Sequence, residues 1–416
     1  MTKMTNHRST GITHTVKGQS VSCDPGNPDF FGNPYPVYDE MRNAGPCFFW
    51  EQYNIWCFAD HAGVSAILRD RRFGRELPDT DLVETAPDHL KPFYRFEANS
   101  ILELEPPAHT RLRRLINRAF ISRQIETLQP KITLLANQLI DRFEGNQEVN
   151  LLTEFAEIIP VQIIAEMLGV PVVHSKQLLS WSHDMVAMYQ HNRSRLIEDA
   201  AVEATEAFSQ FILQLVAERR KRPCDDLISH LVEQQNKGET LSDAELVATC
   251  ILLLNAGHEA TVHAIGNGVK ALLECRQNPT LIFKGENKIE AVCEEIMRYD
   301  PPLHKFTRYV LEDVEVGGRA FSRGDTVGLL LAAANRDPER FENPDQLLFD
   351  RPGLMSANMA FGAGIHFCIG APLARLEMQT ALPILFDRLP KLMLAEKPQY
   401  ADRYHFHGLQ KLQLSW

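Results

Sequence analysis

Several things are missing from this chain, and each absence narrows what it can be. None of its eight cysteines (23, 47, 57, 224, 250, 275, 293 and 368) stands in a Cys-x-x-Cys pair, so the ligand spacing of a structural zinc site is absent. No apolar run reaches the ~18 residues that a membrane span needs. The longest candidate, around Ile251 to Ala256, is far shorter. There is no excess of basic charge: the formal net charge is −11, which argues against a general nucleic-acid binder. Met1 to Gln19 lacks the apolar core of a secretory signal, and internal repeats are not evident. Scattered free thiols in a chain of 416 residues suit a reducing compartment. Together these absences predict a soluble, cytoplasmic protein.

What is present centres on Phe361-Gly-Ala-Gly-Ile-His-Phe-Cys-Ile-Gly370. This glycine-studded loop carries Cys368 and runs into a helical pattern, in which Pro372 suits the first turn and Leu373, Leu376 and Leu382 share an apolar face. Peptide dipoles and free N–H groups at a helix start favour a thiolate over a thiol. Gly362, Gly364 and Gly370 permit tight turns and close approach of a flat ligand. A rigidly held thiolate is what a haem iron takes as axial ligand. Taken alone, Cys368 could equally be a small buried hydrophobe or half of a Cys–His nucleophile pair.

The spacing Phe-x-x-Gly-x-His-x-Cys-x-Gly, here Phe361, Gly364, His366, Cys368 and Gly370, resembles the haem-binding loop of the cytochrome P450 family. Other stretches extend the resemblance. In the helix pattern from Glu105 to Phe120, His109 and Arg113 lie four apart, on one face, and could reach one anionic group. The resemblance implies that they hold the haem propionates, with Arg308 as a third ligand and His366 beside them. Arg111, Arg114 and Arg118 read as a solvated basic face, or, on the resemblance, as the place where an acidic iron–sulphur ferredoxin docks.

Ser242 with Glu245 forms a capping-box pattern that opens a helix running to about Cys275. Its small residues Ala256, Gly257 and Ala260 would let a flat cofactor lie against it. The family's Ala-Gly-x-(Asp/Glu)-Thr pattern puts a proton-relaying acid at Glu259 and an alcohol at Ala260. That alcohol is missing. Thr261 comes one residue late, about 100° around the helix. Proton delivery would then need ordered water, Thr261 in an adjusted backbone, or a substrate hydroxyl. His258 reads as an ordinary core or surface histidine.

Glu295 and Arg298 are spaced to pair, and the resemblance makes them a buried structural pair with Arg351 or Arg340 as third partner. Leu90, Phe93 and Phe96, in the irregular stretch 74–100, either cover a ligand or pin the segment to the core. Met185, Met188, Leu253, Leu303, Phe306 and Phe406 are the other substrate-side candidates, with His304, Lys305 and His405 near them.

The resemblance implies a mainly α fold with a small β region (α+β). One domain spans 29–416, preceded by a flexible arm over 1–28. Haem b, gripped by Cys368, lies between the long central helix and the helix after the cysteine loop. The implied activity is O2-dependent monooxygenation of a small-to-medium apolar substrate by a monomer, with electrons from NAD(P)H through a ferredoxin reductase and ferredoxin. A peroxide-driven peroxygenase and a non-catalytic haem-binding protein are the alternatives.

Overall fold

The long central helix, Asp243–Glu274, begins where Ser242 accepts a hydrogen bond from the Glu245 N–H while the Glu245 side chain accepts one from the Ser242 N–H. This reciprocal cap satisfies two donors that every helix start leaves open. From Leu246 to Leu272 the helix is buried on most of its faces. It is the spine against which helices Ile158–Leu168, Ser175–Val186, Arg195–Lys221, Ile289–Tyr299 and Ala371–Arg388 pack. The structure is a computed structural model. It describes residues 14–119, 125–190, 193–236, 241–275, 277–285, 288–402, 404 and 406–416. Among the described residues, no helix is long and apolar enough to cross a membrane.

The strands gather mostly into one seven-stranded mixed sheet. Its order is His14–Lys17, Ser20–Cys23, Phe48–Trp50, Ile55–Phe58, Thr326–Leu330, Lys305–Val310, Phe73–Gly74. The aromatic stretch Cys47 to Phe58 folds as the expected antiparallel hairpin, with Phe49 opposite Trp56. The expected flexible arm over 1–28 needs correction. His14–Lys17 and Ser20–Cys23 form an antiparallel pair at the sheet edge, and Val21 and Cys23 are buried. A polar composition hid a two-residue alternation, which is a strand signal. Residues 1–13 and His405 lie outside the described residues. Three short helical turns, Leu82–Thr85, Asp88–Leu90 and Lys91–Glu97, break up the 74–100 stretch.

Two adjacent acids on helix Ile289–Tyr299 fix the approach to the cysteine loop. Glu295 receives two parallel hydrogen bonds from Arg298, at 2.7 and 2.8 Å, and a third from Arg351 at 2.9 Å. Arg298 also donates to the carbonyls of Asn335, Pro344 and Gln346. One guanidinium thereby pins an irregular segment that has no ladder of its own. Arg351, rather than Arg340, is the third partner. Glu294 meanwhile pairs with Arg375, on the helix after Cys368, and its backbone carbonyl accepts from Asn358 just before the loop.

Glu295 and Arg298 are both fully buried, so removing one strands the other's charge in a dry interior. Arg298→Met is expected to lower unfolding stability by about 3–5 kcal/mol, read from the urea midpoint. A midpoint shifted by less than ~1 kcal/mol equivalent would show that the pair behaves like a surface one.

Candidate active site

Cys368 lies between the short turn Gly364–His366 and helix Ala371–Arg388. Its N–H donates to the Phe361 carbonyl at 3.0 Å, closing the loop on itself. Gly364 has a φ of +71°, and a Cβ there would lie 2.1 Å from the Leu68 carbonyl oxygen. Only glycine fits both the twist and the contact. Gly370 differs: its φ is −81°, and a Cβ would meet the Cys368 Sγ at an ordinary 3.9 Å. Burial raises the Cys368 thiol; the N–H groups of Gly370 and Ala371, with Arg113 and Arg375, oppose this without cancelling it. The helix start therefore does not make a thiolate unaided, contrary to the expectation from sequence. Desolvation outweighs the dipole, and a coordinated metal cation is what deprotonates a thiol outright.

Arg113, whose charge couples to the sulfur, belongs to a group of nitrogen-bearing side chains from separate parts of the chain. His109, on helix Ala108–Ala119, is buried, and its Nδ1 has no hydrogen-bond partner. Burial, with His366 and Arg113 nearby, pushes its pKa down to about 4. Its ring centre is 4.4 Å from that of His366, whose Nε2 is 2.9 Å from Glu105 Oε1. Arg308, on strand Lys305–Val310, is 4% exposed and donates to the carbonyl of its own neighbour Thr307. Burial and then Arg75 push it down to about 9. Burial also lowers Arg113. Among the described residues, neither Arg113 nor Arg308 has a carboxylate within ion-pairing distance. A buried guanidinium without a counter-charge is costly, so this cluster fits an anionic group such as a pair of carboxylates.

On the central helix, Leu252, Ala256 and Ala260 are less covered than their neighbours. Their spacing of four makes one strip of small surface. Gly257 is not part of it. A Cβ there would lie 2.3 Å from the end of Ile164, so its lack of a side chain serves helix packing rather than a flat cofactor. Thr261 is buried, and its hydroxyl donates to the Gly257 carbonyl at 2.9 Å. That i−4 bond directs the hydroxyl to the helix backbone, so Thr261 does not replace the alcohol missing at Ala260.

Glu259 is buried among histidines. His183 and His258 approach its Oε2 at 3.4 and 3.7 Å, and His263 approaches its Oε1 at 3.5 Å. Burial alone would raise its carboxyl, but the three imidazoles outweigh burial and hold it well below the usual carboxylate range.

The substrate-side candidates divide. Leu90, Phe93 and Met188 pack with Ala201 in a small core of their own, so they pin the 74–100 segment to helix Arg195–Lys221. Met185 and Leu253 are buried in the main core, and Phe96 packs against it. Leu303 and Phe406 are brought together by an isolated β-bridge. Phe306 sits at the cysteine loop, 3.5 Å from where a Gly362 Cβ would be. His304 is fully buried with its Nδ1 2.8 Å from the Tyr38 hydroxyl, and Lys305 lies over the Tyr53 ring; neither faces a ligand. Arg111 is ion-paired with Glu245, whereas Arg114 and Arg118 are exposed.

Sequence reasoning missed Arg75, Glu105, His183 and His263. Arg75 pairs with Glu103 and donates its N–H to Glu105. Glu105, four residues before His109, and His263, four residues after Glu259, had a spacing signal; Arg75 and His183 had none.

A family model described as cytochrome P450 matches residues 79–284 and 288–399. The polyketide biosynthesis cytochrome P450 PksS of Bacillus subtilis is 33% identical over 408 residues, covering 95% of this chain and 99% of that one. Cytochrome P450 107B1 of Saccharopolyspora erythraea is 36% identical over 368 residues, covering 86% and 88%. Among solved structures, P450BioI in complex with hexadec-9Z-enoic acid ligated acyl carrier protein superposes with a TM-score of 0.87 at 32% identity, covering 93% of this chain and 100% of that chain.

The two loop glycines make opposite demands. Gly364→Ala is expected to destabilise by about 1–3 kcal/mol or more, whereas Gly370→Ala should stay within ~1 kcal/mol of the parent. Thermal unfolding of both variants checks this, and equal shifts would overturn it.

Proposed function

The chain belongs to the cytochrome P450 family of haem-thiolate monooxygenases, and from that premise we propose that it inserts one oxygen atom of O2 into a C–H or double bond of a small-to-medium apolar substrate. Electrons come from NAD(P)H through a ferredoxin reductase and a ferredoxin, which docks near Arg114 and Arg118. One observation carries the assignment of the site: the Cys368 loop lies beside Arg113, and among the described residues neither Arg113 nor Arg308 has a carboxylate paired to it, with His109, whose Nδ1 has no hydrogen-bond partner, in the same group.

Cys368 would hold the iron of haem b. His109, Arg113 and Arg308 would hold its carboxylates, with His366, steadied by Glu105, beside them. Phe361, Gly362 and Gly370 would support it from the loop side, and Ala256 with Ala260 from the central-helix side. Bound haem supplies O2 activation, and thiolate ligation favours O–O cleavage. The chain does the rest. With its pKa near 4, His109 is neutral at pH 7 and donates a hydrogen bond without adding charge. Arg308 stays protonated at pH 7 even at about 9, and an anionic partner raises it again. Glu259 carries protons at its carboxylate oxygens. Since Ala260 has no hydroxyl and Thr261 donates to Gly257, the next carrier is ordered water or a hydroxyl of the substrate. Leu303, Phe306 and Phe406 contact the substrate and keep bulk water out.

Solved relatives are in complex with testosterone, with myristic acid, and with an acyl carrier protein to which hexadec-9Z-enoic acid is ligated, so their small-molecule groups are a steroid, a fatty acid and an acyl chain. All are largely apolar, which supports the substrate class for this chain. A peroxide-driven reaction is the second reading. Ala260 favours it, because hydrogen peroxide brings its own protons.

Cys368→Ala is expected to abolish the reduced-CO band of thiolate haem; a surviving band overturns the assignment. Arg308→Leu should speed haem loss by roughly tenfold, the effect of a ~1.4 kcal/mol contact, yet leave the haem-free protein no less stable. Ferredoxin-driven turnover should exceed turnover with hydrogen peroxide alone, and Ala260→Thr should raise product formed per NAD(P)H consumed. Equal rates with peroxide alone would favour the second reading.

A further inference from the structure

Two buried clusters in this protein combine carboxylate and imidazole groups. In one, Asp300 accepts hydrogen bonds from the Tyr35 and Tyr400 hydroxyls, and His304 contacts the Tyr38 hydroxyl. Hydroxyls close that network, and its three acid and histidine members are all buried, so it has partners and no entry path.

The cluster at Glu259 differs in having an opening, through His183, and one member without a hydrogen bond, His258. His183 Nε2 and His258 Nε2 lie 3.4 and 3.7 Å from the same oxygen, Glu259 Oε2. These distances are long for charge-assisted hydrogen bonds, which run to ~2.7–2.9 Å. The shorter is close to, and the longer a few tenths of an ångström beyond, the ~3.3 Å edge of a tetrahedron whose centre is ~2.0–2.1 Å from each ligand atom. One ligand atom from each of the three residues falls within 4.8 Å of the others. His258 is fully buried, and neither ring nitrogen has a hydrogen-bond partner. Burial pushes its pKa down to about 4, so it is the neutral imidazole that a metal binds. The His183 side chain is 47% exposed and forms the way in from solvent. Glu157 and Asp184 lie close enough for their charges to couple to His183, and they add negative potential.

We propose that His183, His258 and Glu259 form a binding site for a divalent cation of the zinc type, with one open coordination position, in which His263 orients the carboxylate through its other oxygen. Occupation ties up the carboxylate that the function proposed above uses as proton carrier, so zinc slows turnover. This last step rests on that reading; the site itself does not.

The test uses untagged holoenzyme, Zn2+ alone as probe, and no turnover in its first arm. Isothermal titration calorimetry and metal analysis after dialysis should give one zinc per chain in the parent. Binding should weaken by about 100-fold or more in His183→Ala, beyond the ~10–100-fold of a lost outer-shell partner. His174→Ala, a control at a half-buried histidine against Phe211 and outside the cluster, should bind as the parent does. No saturable binding, or equal affinity in His183→Ala, overturns the site. In the second arm, with each protein measured against its own zinc-free rate, zinc should lower ferredoxin-driven turnover of the parent at concentrations that leave the rate of His183→Ala unchanged relative to its own zinc-free value. Site-specific binding without inhibition overturns the link to proton transfer and leaves the metal site supported. The reduced-CO band, read in both proteins, judges the haem assignment separately.

Discussion

The cost of burying charge orders this molecule. Even after the protein relaxes, an ion taken out of water is penalised by several kcal/mol. The chain meets that cost in three ways. Glu295, Arg298 and Arg351 close on one another and on backbone carbonyls. Glu377, fully buried with no hydrogen bond to either oxygen, is pushed well up by burial and is carried as the neutral acid. Arg113 and Arg308 do neither, and His109 beside them is carried neutral. The first two solutions build the fold, whereas the third complements an anion and so marks a site.

The closed charges and the open ones are mechanically joined. Glu295 fixes the irregular segment through Arg298 and Arg351, while Glu294 reaches Arg375 and the Asn358 side chain donates to the Glu294 carbonyl. Asn358 precedes the cysteine loop and Arg375 follows it. A single helix therefore grips both flanks of Cys368, and the Gly364 contact with the Leu68 carbonyl supports the loop from a third side. A ligand sulfur that must stay fixed under a rigid ring benefits from this bracing more than from any local stiffness of the loop.

How much was legible in the sequence follows from how local each feature is. The Ser242–Glu245 cap, the His109–Arg113 pair, Glu295–Arg298 and the cysteine loop all work within a few residues, so spacing alone conveys them. The mainly α architecture was what the family resemblance carried by these motifs implied. Features that depend on which neighbour a side chain meets were not legible. Gly257 looked like space for a cofactor, but it faces Ile164. Leu90, Phe93 and Met188 looked like pocket residues but form a private core. The strands at His14–Lys17 and Ser20–Cys23 were lost in a polar stretch. His183 meets Glu259 from 76 positions earlier in the chain, and no periodicity reports that.

The central helix shows why a one-residue displacement matters. Successive side chains turn by about 100°, so positions 256 and 260 face one way while 257 and 261 face another. Ala256 and Ala260 are on the less covered strip, and Thr261 is buried with its hydroxyl on the Gly257 carbonyl. Moving the threonine from 260 to 261 therefore takes the hydroxyl off the strip and gives it to the helix backbone. With that group removed, Glu259 and His258 are the ionisable side chains on this turn whose environment is set by other ionisable groups on two helices, Ser175–Val186 and their own. Control over protons at this position then lies with the histidines around the acid, and they differ from a hydroxyl in being able to take a proton, or a metal ion, themselves.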